Sequence, residues 1–218
     1  KKKVGFYLTG FGPFCGFDKN PTQQFVEHLQ KNVSDYESNI HAIKRAIIVE
    51  VAAVDAQTSL FELYTHTEEN SKENEILVWL HLGVDGTRPT FNLEQFGWNE
   101  AHFRCKDERG WEPTHQQIDK SQSLASSRET TLDLQKIHTN LTKKWDQKVI
   151  ISDDPGRFLC NFIFYNSLGY VKRCQNCAHS LFLHVPPLSP LNCTFDQLCD
   201  FLKDSLYEIA HSLVEEQK

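Results

Sequence analysis

Apolar positions fall in blocks: short runs rich in β-branched and aromatic residues, then stretches in which apolar residues recur every three or four positions. Residues 4–9 (VGFYLT) end at Gly10 and predict a strand. Asn20-Pro21 supplies a helix N-cap and first position, with Gln23 placed to complete a capping box; a helix to about Lys31 would turn Phe25, Val26 and Leu29 inward. Residues 40–49 predict a second strand, and residues 54–64 a helix with Leu60, Phe61 and Tyr64 on one face. Residues 76–82 (ILVWLHL) are nearly continuous apolar, as in a strand covered on both faces. Residues 83–127 have little periodicity, and long irregular stretches of this kind are often functional. Beyond them the pattern predicts a helix over 127–145, a strand over 148–152, a nearly all-apolar helix over 157–168 and a strand over 180–185 stopped by Pro186-Pro187. A last helix from a Thr194 cap carries the stripe Leu198, Phe201, Leu202, Leu206, Ile209 and Leu213.

Strands and helices alternating in this order predict a three-layer α/β/α sandwich around a mostly parallel twisted sheet. In such sheets ligands bind beyond the carboxyl ends of strands. The turns at residues 10–20, after Leu82, and at 153–160 are therefore expected to meet. No repeat or linker divides the chain, so residues 1–218 are expected to form a single domain.

Charge and cysteine usage narrow the function. A net charge of −6 argues against a nucleic-acid partner, which needs a basic surface. No apolar run is long enough to span a membrane. Lys1-Lys2-Lys3 is followed by only the short run at 4–9 before Gly10, too little for a signal-peptide core, and the missing initiator Met points to a trimmed chain. Seven cysteines, an odd number, then fit reduced thiols and a cytoplasmic location, which makes the sequons at Asn32, Asn140 and Asn192 incidental.

Five segments could carry chemistry. In SDDPGRFLCN a strand ends, Pro155-Gly156 forces a turn, and Cys160 falls near the start of a helix. Free amides and the positive dipole end there favour a thiolate and could bind an oxyanion; equally, Cys160 could be a small buried apolar residue. His184, at the end of a buried strand before Pro186-Pro187, is either a proton-transfer group or a satisfied core histidine. Glu94, on the loop after ILVWLHL, is either a solvated charge or the carboxylate that orients an imidazole. In TGFGPFCGF, Pro13 and three Phe stand where a phosphate cradle needs bare backbone, and Phe11, Phe14 and Phe17 suit a small uncharged pocket or a packed turn. Cys174 and Cys177 form half of a zinc knuckle, but Cys193 and Cys199 are poorly spaced to complete it, and no metal is expected.

Assembled, these segments resemble the pyroglutamyl-peptidase I family of cysteine peptidases: TGFGPFCGFDKNP at the N-terminus, HLGVDGTRPTFNLEQ with the glutamate, SDDPGRFLCN with the nucleophile and LFLHVPP with the histidine, in the family's order and over nearly the whole chain. NEAHFRCKDERGWEP is similar to an excursion of the longer eukaryotic form. The resemblance implies Cys160 as nucleophile, His184 as general base then acid, and Glu94 as orienting carboxylate. It implies Phe11, Phe14 and Asn20 in the pyroglutamyl pocket, with Phe158 and Leu159 beside them, and Arg88 as oxyanion or site support. Cys15 stands where the family usually has Gly, Pro155 where a small residue is common, and Val84 where bacterial members carry a pocket Gln; Asn20 also competes as helix N-cap. The implied substrates are N-terminally pyroglutamylated peptides, no cofactor is required, and a homo-oligomer is expected. The alternatives are a catalytically silent binder of such peptides and a same-fold hydrolase of another amide.

Overall fold

The computed structural model describes residues 2–14, 18–70, 72, 75–174 and 178–215. The first apolar run extends at both ends into strand β1 (Lys3–Phe11). Helix α1 (Pro21–Lys31) opens as its sequence predicts. Asn20 Oδ1 accepts from Thr22 N at 3.0 Å, and Pro21 takes a position that needs no N–H. Gln23 does not close the expected capping box; its amide donates to Glu27 Oε1 instead. Strand β2 (His41–Val49) and helix α2 (Ala53–Asn70) follow. The inner face of α2 is Ala53, Ala56, Leu60, Leu63 and Thr67. Phe61, expected inside, lies about 100° around the helix from Leu60 and is exposed. Strand β3 (Glu75–Val84) is buried from Ile76 to Gly83, as its continuous apolar run requires.

The segment expected to be irregular contains two short strands, β4 (Phe91–Glu94) and β5 (Phe96–Trp98), and a third, β6 (Ser127–Glu129), begins at its end. So short a strand has no readable period, and its partners lie far along the chain. β6 occupies what the pattern assigned to the start of a helix. Helix α3 (Leu134–Trp145) begins only at Asp133, whose Oδ1 accepts from Lys136 N at 2.9 Å. Strand β7 (Val149–Ser152), helix α4 (Leu159–Val171), strand β8 (Ala178–Val185) and helix α5 (Phe195–Glu215) complete the strands and α-helices among the described residues. α5 starts from a reciprocal box in which Thr194 Oγ1 accepts from Gln197 N, and Gln197 Oε1 from Thr194 N.

The main sheet has the order β2-β1-β3-β8-β4-β7, and every pairing is parallel except that of β4 with β8. Side chains alternate across it. One face packs Leu8, Val78 and Leu181 against α1, α3 and α5; the other packs Tyr7, Trp79 and Phe182 against α2 and α4. The predicted α5 stripe is buried throughout, each large side chain contributing about 2 kcal/mol by leaving water. The long connection between β5 and β6 folds over α4, where Phe103 meets the Phe158 ring edge-on at 4.7 Å. Asn99 ties it together, donating to the carbonyls of Asp119, Gln122 and Ser123. Among the described residues no helix is long and apolar enough to cross a membrane.

Candidate active site

β8 turns Ser180, Phe182 and His184 towards α4. β4 runs antiparallel beside it, pairing Asn92 with His184 and Glu94 with Phe182. That register sets Glu94 diagonally across from His184, within reach of a long side chain. His184 Nδ1 donates to Glu94 Oε1 at 2.7 Å, and Glu94 is fully buried. Glu94 is thus a residue of the sheet, not of the loop where its sequence context suggested it lay. Its second oxygen, Oε2, has no hydrogen-bond partner among the described residues.

Cys160 is the second residue of α4. Phe158, the N-cap, offers no side-chain acceptor, so no side chain from that position caps the amides of the first turn. Asn161 fixes the approach of this turn: its Oδ1 accepts from Trp98 N, and its Nδ2 donates to the carbonyls of Trp98 and Glu100. Gly83, opposite His184 in the β3–β8 register, clears the way for the sulfur. A Cβ on Gly83 would lie 2.9 Å from Cys160 Sγ and 2.6 Å from the Phe182 ring. The preceding turn bends at Gly156, whose φ of +79° suits glycine. Arg157 holds that turn, donating to Asp154 Oδ1 at 2.6 Å and to Glu100 Oε2 at 3.1 Å. Pro155 is buried within it.

Electrostatics separate His184 from an ordinary core histidine. Burial alone would lower its pKa. Cys160, by charge and hydrogen bond, and then Glu94 more than reverse this and push it up to about 10. Its surroundings, a carboxylate and a sulfur, thus favour the protonated ring.

Phe11, Phe14, Asn20, Phe158 and Leu159, the five residues expected to bind substrate, line one slot with Val51, Val84 and Cys160. The slot is narrow, about 20 Å³, and shares Phe14, Val84, Phe158 and Cys160 with a cleft of about 410 Å³ that also holds His184. Asn20 is buried and engaged on both sides, its Nδ2 donating to Gly12 O and its Oδ1 accepting from Thr22. It caps the helix and borders the slot at once. Arg88 lines the cleft but donates to Ser152 Oγ at 3.3 Å and pairs with Asp85 at 3.7 Å. Cys174 lies near Tyr170 O, and burial pushes its thiol up to about 11. Cys15, Phe17 and Cys177 lie outside the described residues. Sequence reasoning gave no role to Asn161 or Gly83; the only signal for Asn161 was its place after Cys160, and Gly83 reads as any loop glycine.

A carboxylate, an imidazole and a thiol come together here on an α/β scaffold, and the family that the chain matches is one of cysteine peptidases. The chain belongs to the pyroglutamyl peptidase family, whose model matches residues 3–197. It is 30% identical over 222 residues to pyroglutamyl-peptidase 1 of Homo sapiens, covering 96% of this chain and 91% of that protein. It is 27% identical over 186 residues to pyrrolidone-carboxylate peptidase of Thermococcus litoralis, covering 85% and 76%. Among solved structures, pyroglutamyl peptidase I from Bacillus amyloliquefaciens superposes with a TM-score of 0.78 at 22% identity, over 96% of both chains. Pyrrolidone carboxyl peptidase of Fervidobacterium islandicum superposes with 0.77 at 22% identity, over 98% and 99%. These superpositions establish the common fold.

Proposed function

We propose that this chain removes N-terminal pyroglutamate from peptides through a Cys160-His184-Glu94 triad. The observation that carries the proposal is His184, hydrogen-bonded to Glu94 and lining one cleft with Cys160 at the mouth of a phenylalanine-lined slot. An uncharged lactam ring suits such a slot, with Asn20 and backbone groups as its polar anchors.

In this scheme the Cys160 sulfur attacks the carbonyl carbon of the pyroglutamyl residue. The carbonyl oxygen gathers negative charge near the first-turn amides of α4, with Arg88 at the edge of the cleft. As the C–N bond breaks, the His184 imidazolium gives its proton to the leaving amine, and a thioester remains on Cys160. His184, now neutral, takes a proton from water as the water attacks the thioester, which releases pyroglutamate and restores the sulfur. Glu94 keeps the ring's Nδ1 proton in place and steadies the imidazolium. The side chains account for each proton and electron pair, so the scheme calls for no cofactor.

The test is turnover of a fluorogenic pyroglutamyl amide with and without iodoacetamide. Turnover abolished by alkylation, with the label on Cys160, supports the scheme. Turnover that survives alkylation of Cys160 rules it out. Binding of a pyroglutamyl peptide without turnover leaves a silent pocket, and turnover of another amide alone leaves a different substrate.

A further inference from the structure

The cleft beside the slot has an uneven charge. Three arginines line it. Two are spoken for: Arg157 by Asp154 and Glu100, and Arg88 by Asp85. Arg104 forms no ion pair with any described residue. Its guanidinium instead lies over the Phe158 ring, 5.7 Å from the centroid, on a side chain that walls the slot. Arg104 is therefore steadied at the junction of slot and cleft with its charge unanswered, in a chain whose net charge is −6.

The position has a meaning for substrate. Cys160 lines both slot and cleft, while His184, the group that would protonate the leaving amine, lines the cleft and not the slot. Whatever follows the pyroglutamyl residue must then lie in the cleft, along the wall that Arg104 lines. We propose that Arg104 selects pyroglutamyl peptides whose second residue bears a carboxylate, supplied by an acidic side chain or by the free α-carboxyl group of a dipeptide. This inference rests on the peptidase reading and names its preferred substrates. A planar guanidinium with donors to spare matches a carboxylate, and the other cations of the cleft already have acids of their own.

Four substrates test it: pyroglutamyl-Glu-amide against pyroglutamyl-Gln-amide, and pyroglutamyl-Ala with a free carboxyl group against its amide. The ratio of kcat/KM within each pair is the readout, so the yield of folded protein does not enter. A ratio of about 5 in at least one pair is expected for a solvent-accessible charge pair, and the pair that carries it identifies the source of the carboxylate. The ratio should fall towards 1 in 0.5 M salt and in Arg104→Gln. Arg104→Glu should instead favour pyroglutamyl-Lys-amide over pyroglutamyl-Gln-amide. Ratios near 1 in both pairs of the unaltered protein, or a ratio that Arg104→Gln leaves in place, overturn the proposal while turnover of the neutral substrates leaves the peptidase reading intact. If none of the four is hydrolysed, both fall together.

Discussion

Two histidines on the same face of the sheet each meet a side chain with a nucleophilic atom from helix α4. His184 meets Cys160, and His81, on the neighbouring strand β3, meets Ser167 at 2.7 Å. Cys160 and Ser167 are seven residues apart, two helical turns, so one face of α4 presents both. The two histidines are almost equally hidden from water. Yet burial pushes His81 down to about 3, while His184 is pushed up to about 10. The partners of each ring together decide the sign. His81 has the hydroxyls of Ser167 and Thr9 and, among the described residues, no carboxylate bonded to it; His184 has Cys160, the stronger influence, and Glu94 at 2.7 Å. Hydroxyls satisfy a neutral ring, whereas a buried carboxylate beside a sulfur demands a charged one. The Ser167–His81 pair is further tied to Ser180, deep in the core, and lines none of the cavities at the site. A hydroxyl touching an imidazole is not by itself a catalytic pair.

The strongest way to break the contrast is to remove the sulfur or its base. Cys160→Ala and His184→Ala should each lower turnover by several orders of magnitude, about equally, because such residues act as a unit. His81→Leu should leave kcat within about twofold. It should cost about 1–3 kcal/mol of stability by orphaning the hydroxyls of Thr9 and Ser167, measured by denaturant unfolding. Gly83→Ala should lower kcat by about 100-fold, since the new methyl must displace Cys160 Sγ or the Phe182 ring, while the fold survives by circular dichroism. Glu94→Gln should cost less than His184→Ala, and equal losses would mean that Glu94 does more than orient the ring.

The smallest effects are in the dependence of stability on pH. The folded protein holds the His184 proton more tightly than the unfolded chain does. The stabilisation this brings is complete below about pH 6.5 and drains away as pH rises towards about 10. For His81 the sign is opposite: its contribution is complete above about pH 6.5 and is lost as pH falls towards about 3. Denaturant midpoints across pH should therefore lose part of the alkaline limb in His184→Ala and part of the acid limb in His81→Leu. Following the ring protons by NMR, Cys160→Ala should move the titration of His184 downwards and leave His81 where it was.

Much of this was legible in the chain. The start of α1 is a local matter of Asn20 and Pro21, and the pattern placed it correctly. The α5 stripe and the β3 run are equally local. The segments bearing Cys160, His184 and Glu94 stood out, as did the residues that now border the slot. What could not be read was pairing at long range. β4 has only four residues, so Glu94 passed for a loop carboxylate until its partners β8 and β7 enclosed it. His81 lay unremarked inside ILVWLHL, because nothing near it in sequence announces Ser167, 86 positions away. The helix expected from Ser127 failed because Asp133, a better-placed cap, lies further along.

The reversed direction of β4 has a consequence for heat. Imidazole and carboxylate stand on the two end rungs of one short hydrogen-bonded ladder, with β7 zipped along its outer side. The carboxylate belongs to a strand paired on both sides, so parting the two groups means opening that pairing, not moving a loop. Warming should therefore produce no intact but inert form, and the loss of catalysis should trace the same curve as the calorimetric melt.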